Sequence, residues 1–242
     1  MPKLIWDKTD ERIFETGVSK GVLYSFNTQT KAYDKGIVWN GLTGVTESPS
    51  GAEATPLYAD NIKYLNLLSA EEFGATVEAY TYPDEFEQAD GSAEVAEGVT
   101  IGQQKRASFG LAYKTAIGND VNGLDLGYKI HLVYGAKIKP SAKEYNTINN
   151  SPSAITFSWE FTSTPVEVPG ASPSATLVIN STKITNKDKL KQLEDMIWGT
   201  DPSSLSTVTD GQSQQASEGG TDPKLPTIEE VINLIGRKSL EG

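Results

Sequence analysis

The chain contains no cysteine and a single histidine, His131. A disulfide framework, a thiolate metal site, a cysteine nucleophile and a cluster of histidine ligands are excluded at once. One histidine permits one serine–histidine pairing, and nothing in the sequence positions it. Basic residues are scarce as well: 21 Lys and Arg stand against 32 Asp and Glu, a formal charge of −11 over 242 residues. Domains that grip nucleic acid through its phosphates are usually basic, so this balance argues against such a grip. Long apolar runs are missing too. No stretch approaches the roughly 20 apolar residues of a membrane span, and none of signal-peptide length follows Met1. The expectation is a chain folded in a cytoplasm, without a membrane partner.

What is present suffices for a core. Hydrophobic residues make up 37% of the chain and charged residues 22%, enough apolar surface for one large β domain or two small ones. Much of it alternates with period two. The sets are Phe73, Ala75, Val77, Ala79; Phe109, Leu111, Tyr113; Tyr128, Ile130, Leu132, Tyr134, Ala136, Ile138; and Ile155, Phe157, Trp159, Phe161. Each describes a strand with one face on a core. Shorter strands are expected at residues 21–26, 37–45 and 175–180. Residues 119–123, Asn-Asp-Val-Asn-Gly, carry the turn chemistry of a hairpin. Many strands at this spacing predict a β-sandwich or barrel.

Two helices are expected. One covers residues 186–198, with Thr185 as N-cap, Leu190, Leu193 and Ile197 on one face, and Gly199 just past its end. The other covers residues 228–235, opened by the capping box of Thr227 and Glu230. It is too short to stand alone in water, so Val231, Leu234 and Ile235 must dock, on this chain or on a neighbour. Docking on its own domain is the simpler outcome. Between the helices, residues 200–225 are rich in Ser, Thr, Gln and Gly and read as a flexible acidic linker. The division is therefore a β domain over 1–199, the linker, and a helical tail over 226–242.

Charge is unevenly placed. Residues 64–104 carry nine acids and no Lys or Arg. Residues 105–143 carry Lys105, Arg106, Lys114, Lys129, Lys137, Lys139 and Lys143 against Asp120 and Asp125. Opposed blocks suit head-to-tail docking of copies, although solvated faces produce the same statistics. Catalytic signals are weak. Asp84, Glu85 and Glu87 could serve as paired carboxylates, but any acidic chain offers such pairs. Residues 120–125 lack the spacing and terminal Glu of a calcium loop. Trp159 and Tyr134 lie on apolar strand faces and read as core, not as a sugar platform. His131 falls on a polar strand face among lysines and reads as a surface or interface residue.

Several segments resemble the major tail, or tail tube, proteins of long-tailed, non-contractile bacteriophages of Gram-positive hosts. They are Trp6-Asp7 with Arg12, Phe14-Glu15-Thr16-Gly17-Val18 and Gly21-Val22-Leu23-Tyr24; Val38-Trp39-Asn40-Gly41-Leu42-Thr43-Gly44-Val45-Thr46-Glu47-Ser48-Pro49; and Leu57-Tyr58-Ala59-Asp60-Asn61-Ile62-Lys63-Tyr64-Leu65 with Tyr82-Pro83-Asp84-Glu85-Phe86. Phe109-Gly110-Leu111-Ala112-Tyr113, residues 127–135, Ile155-Thr156-Phe157-Ser158-Trp159-Glu160 and the Leu225-Pro226-Thr227-Ile228 start of the last helix continue the resemblance in the same order. It covers most of residues 1–200. It implies a mainly β protein, a sandwich or barrel of tail-tube type with a flanking helix and a short C-terminal helix. It also implies a non-enzymatic virion protein that needs no cofactor or metal. Copies would form stacked hexameric rings, a hollow tube through which double-stranded DNA passes without tight binding, with tape-measure and tail-terminator proteins as further partners. On that reading Glu78 and Glu160, on outward strand faces, are the lumen candidates. Ser48 and Pro49, with Val231, Leu234 and Ile235, are the inter-subunit candidates. The alternatives are a carbohydrate-binding or adhesin-like β-sandwich module and a carboxylate-dependent hydrolase.

Overall fold

The computed structural model describes residues 3–148, 150, 153–201 and 220–237. The linker reading falls mostly on residues 202–219, outside the described residues, as do residues 238–242 of the tail. The strands in order are β1 (Phe14–Asn27), β2 (Ala32–Tyr33), β3 (Ile37–Trp39), β4 (Leu42–Glu47), β5 (Ser50–Gly51), β6 (Ala54–Ala59), β7 (Ile62–Leu68), β8 (Glu71–Glu72), β9 (Gly74–Ala79), β10 (Ala93–Ala96), β11 (Val99–Ile101), β12 (Phe109–Asn119), β13 (Gly123–Ile138), β14 (Phe157–Ser163) and β15 (Thr176–Asn180). The helices are α1 (Glu87–Asp90), preceded by a 3-10 turn, α2 (Lys187–Trp198) and α3 (Ile228–Ile235). The protein is mainly β, as its alternation predicts.

The main sheet is antiparallel and runs β2-β1-β12-β13-β14-β9-β4, with β15 on β13 and β3 on β1. The expected strand over residues 37–45 is in fact two. Gly41, at φ +77°, turns the chain between β3 and β4, a conformation glycine adopts without steric penalty. β3 then bonds to β1 (Val22 opposite Val38) and β4 to β9 (Val45 opposite Val77). One segment thus joins both ends of the strand path, and the sheet curls toward a barrel.

Inside lies an aromatic core. Trp39, Phe86, Phe109, Trp159 and Phe161 are all 2% exposed or less. Phe86 stands edge-on to Trp159 and Phe109, with centroids 5.1 and 5.6 Å apart, the arrangement ring quadrupoles favour. Phe86 comes from the 3-10 turn Asp84–Phe86. That turn is thus explained by the plug it carries, not by its exposed acids.

A second core lies on the opposite face of the sheet. Leu190, Leu193 and Ile197 of α2 and Ile228 and Val231 of α3 pack there with Tyr24, Ile130, Leu132, Tyr134 and Ile179. Burying one such aliphatic side chain contributes about 1.5–3 kcal/mol. The Tyr24 hydroxyl donates to Ile197 O (2.6 Å) and the Tyr134 hydroxyl to Pro226 O (2.8 Å), so the aromatic stems also satisfy backbone groups of the helical layer. The N-cap of α2 is Asn186, one residue after the expected Thr185. Its Oδ1 accepts from the Asp188 and Lys189 amides. The capping box of α3 is present as predicted.

The period-two set of β13 does not face one core. Gly135 has φ +60°, and the β12–β13 register slips between the Phe109–Ala136 and Leu111–Val133 pairs. This bulge inserts an extra residue and swaps the faces. Ile130, Leu132 and Tyr134 join the helical core, whereas Val133, Ala136 and Ile138 join the aromatic one. β13 also changes partner there, pairing β15 before the bulge and β14 after it. Among the described residues, no helix is long and apolar enough to cross a membrane.

Candidate assembly surface

Between β4 and β9 the chain leaves the barrel as an arm. β5 and β8 pair at its base, and β6 and β7 form its shaft. Asp60 and Asn61 make the tip with φ +50° and +62°, the double positive φ of a tight type I′ hairpin, which Asn and Asp tolerate best after glycine. Every residue of β6 and β7 is exposed. Leu57 lies opposite Leu65 and Thr55 opposite Leu67, so the three leucines share one face. They remain 42%, 39% and 54% exposed, while Tyr58, Tyr64 and Leu68 are barer still. An isolated two-stranded hairpin is marginal in water, and exposed apolar strips are the kind of surface through which proteins associate.

Ser48 and Pro49 stand at the root of this arm and are exposed, with the Ser48 amide donating to Gly74 O. The larger apolar surface lies beyond them, on residues 54–68, which the sequence reading did not assign to strands. The signal was available: alternating Ile62, Tyr64 and the leucines around an Asp-Asn turn. A second bare apolar stretch is Leu4, Ile5 and Trp6, exposed by 66–74%. Next to it, residues 7–12 are held against the β12–β13 turn, where Asn119 Nδ2 donates to Asp10 Oδ1 and Asp10 N to Asp120 Oδ1.

Val231, expected at a contact between subunits, is 5% exposed and lies in this chain's own helical core. Leu234 and Ile235 pack against the same core. The short helix docks within its own domain because its apolar stripe meets that of α2 over the sheet.

Glu78 and Glu160 are both exposed on the solvent face of β9 and β14, where Ser158 pairs with Glu78 and Glu160 with Thr76. Glu160 forms an ion pair with Lys139 at 2.5 Å. The outer surface here is therefore hydroxyl-rich and carries acids partly offset by lysine. Trp159 and Tyr134 are 1% and 3% exposed, core residues on opposite sides of the sheet.

His131 is not a surface residue among lysines. Its side chain is 13% exposed and lies at one end of the barrel interior. The register sets Tyr113 opposite it, and the two rings stack with centroids 4.6 Å apart and 3° between planes. Nε2 is 3.0 Å from Thr115 Oγ1 and 3.5 Å from Glu15 Oε1; Nδ1 is 3.8 Å from Glu47 Oε1 and, though buried, makes no hydrogen bond. Tyr113 donates to Glu47 (2.9 Å), and both Thr115 and Lys129 donate to Glu15. Burial depresses the imidazole's proton affinity, with Glu47 and Glu15 opposing it. For Glu15, burial raises the pKa but is outweighed by Lys129 and Thr115, which hold the carboxyl below its ordinary value. Burial and Glu47 push the Tyr113 phenol up. The cluster lies beside a cleft of about 300 Å³ lined by β1, β4 and β12. Among the described residues, no group of three acidic or histidine side chains is placed to hold a metal ion. No protein-family model and no curated protein matches the chain.

Proposed function

We propose that the chain is a self-assembling structural subunit, a tail tube protein whose stacked rings form the wall of a DNA conduit in a phage virion. The observation that carries this reading is the apolar arm of residues 54–68. Among the described residues its leucine strip stays exposed and meets nothing beyond the hairpin itself, and copies of the chain would cover it. Ring closure would at the same time remove exposed strand edges. Two further features support the reading. The resemblance set out above spans the barrel segments and the arm in one order. α2 and α3 pack on β1, β12, β13 and β15 and not on β9 or β14, which leaves the outer face of those two strands to present Glu78 and Glu160. Carboxylates on a lumen wall repel phosphates over about one Debye length, roughly 8 Å at physiological salt, and let a duplex slide. Tape-measure and tail-terminator proteins are the further partners of such a tube.

Negative-stain microscopy of the purified chain tests the proposal. Rings or tubes with a central hole are expected. A persistent monomer in concentrated solution overturns it.

A further inference from the structure

The basic block of residues 105–143 divides once its partners are known. Lys129 pairs with Glu15, Lys139 with Glu160 and Lys143 with Asp90, while Lys114 sits over the Tyr128 ring. Among the described residues, Lys105, Arg106 and Lys137 have no ion-pair partner, and all three line one cleft of about 580 Å³. The backbone builds it. Phe26 N donates to Ser108 O and Ala107 N to Gln88 O, which straps residues 105–108 between the end of β1 and α1. Lys137 arrives from β13 beside Ala136, the partner of Phe109. Gly91, the left-handed residue ending α1, makes room for the arginine: a Cβ there would lie 3.1 Å from Arg106 Cγ and 3.3 Å from Cζ.

The Arg106 Nε is buried and has no hydrogen-bond partner. A guanidinium is charged at all working pH, so a screened donor without an acceptor is an unfavourable arrangement. The one carboxylate in the cleft, Asp34, is already approached by Asn27 Nδ2 at 3.4 Å. Three positive charges thus face one negative charge among amide and hydroxyl groups. A group with two anionic oxygens matches this set. It accepts two parallel bonds from one edge of the guanidinium while the lysines offset its charge. The volume falls within the range of small-molecule sites and exceeds what a lone ion fills.

We infer that this cleft binds an oxyanion, a phosphate or carboxylate group carried on a small ligand. The inference is independent of the assembly reading. Equilibrium dialysis of the full chain at constant ionic strength, with pyrophosphate and glutarate as probes, tests it. Saturable binding of one probe molecule per chain is expected. Lys105→Gln with Lys137→Gln should weaken it about tenfold or more, and so should Arg106→Lys, which keeps the charge but loses the planar fork. Thermal melts report whether each variant folds, and the two lysines are exposed enough for their double variant to do so. Retention of pyrophosphate alone identifies a phosphate ligand; retention of glutarate, alone or as well, shows that carboxylates suffice. Uptake that never saturates, or affinity unchanged in both variants, overturns the inference.

Discussion

Replacing Leu57, Leu65 and Leu67 together by Thr removes the apolar strip of the arm and keeps residues suited to a strand. The exposed fractions of the three, 42%, 39% and 54%, add to rather more than one whole leucine side chain. Covering that surface on association would contribute about 2–4 kcal/mol per arm, or roughly 30- to 1,000-fold in an association constant. The isolated chain should hardly notice, because exposed substitutions usually change stability by within about 0.5 kcal/mol each. Sedimentation velocity over a concentration series separates the two effects: the variant should begin to assemble only at much higher concentration, while its thermal midpoint stays near that of the parent. Assembly of the variant at the parent's concentration would refute the role given to the arm.

Four further outcomes are expected. Because burial holds His131 below its ordinary 6.5, its contribution to stability is complete above that pH and declines as pH falls from 6.5 toward the folded value; Glu15, lowered from 4.5, adds a second loss below 4.5. Glu15, Glu47 and Lys129 face the ring, and His131→Gln should flatten only the upper limb of urea midpoint against pH, so parallel curves for parent and variant down to 4.5 would count against it. Gly135→Ala forces a left-handed backbone on alanine and sets a Cβ 2.6 Å from Thr164 O; a loss of more than about 2 kcal/mol is expected, some 4–8 °C in thermal midpoint, and an unchanged melt would refute the bulge argument. Thr227→Ala removes the α3 capping box and should cost about 1 kcal/mol, seen as faster amide exchange in α3 than in the central strands. If the chain forms a tail tube as proposed, charge reversal of Glu78 and Glu160 to Lys should slow genome ejection, and unchanged ejection kinetics would count against a lumen position for both residues.

The local chemistry of many elements was legible in the sequence because it is carried by neighbours along the chain. The Asn119 turn, the Thr227–Glu230 box and the Leu190–Leu193–Ile197 stripe each need only a few consecutive residues, and each was found where read. The arm is not legible as a pair of strands because, among the described residues, β6 and β7 bury nothing. Alternation ordinarily marks a core face, but in residues 54–68 the apolar face meets solvent. His131 departs from its expected surface position for the opposite reason. Polar neighbours in sequence suggested a wet face, but the carboxylates that flank the ring come from β1 and β4.

By itself, then, the sequence determined that this is a mainly β chain with two short helices, acidic, without thiol chemistry, and with its charges in opposed blocks. Period-two alternation and capping are local, and composition does not depend on folding. Only the tertiary structure decided which face each residue serves. One glycine at φ +60° divides a single apolar alternation between two cores, and a turn at Gly41 brings β3 and β4 to opposite ends of the strand path. Tertiary contacts give Lys129, Lys139 and Lys143 their carboxylates and leave Lys105, Arg106 and Lys137 together around one cleft. Contacts between residues distant along the chain set those outcomes, and they exist only once the sheet has curled.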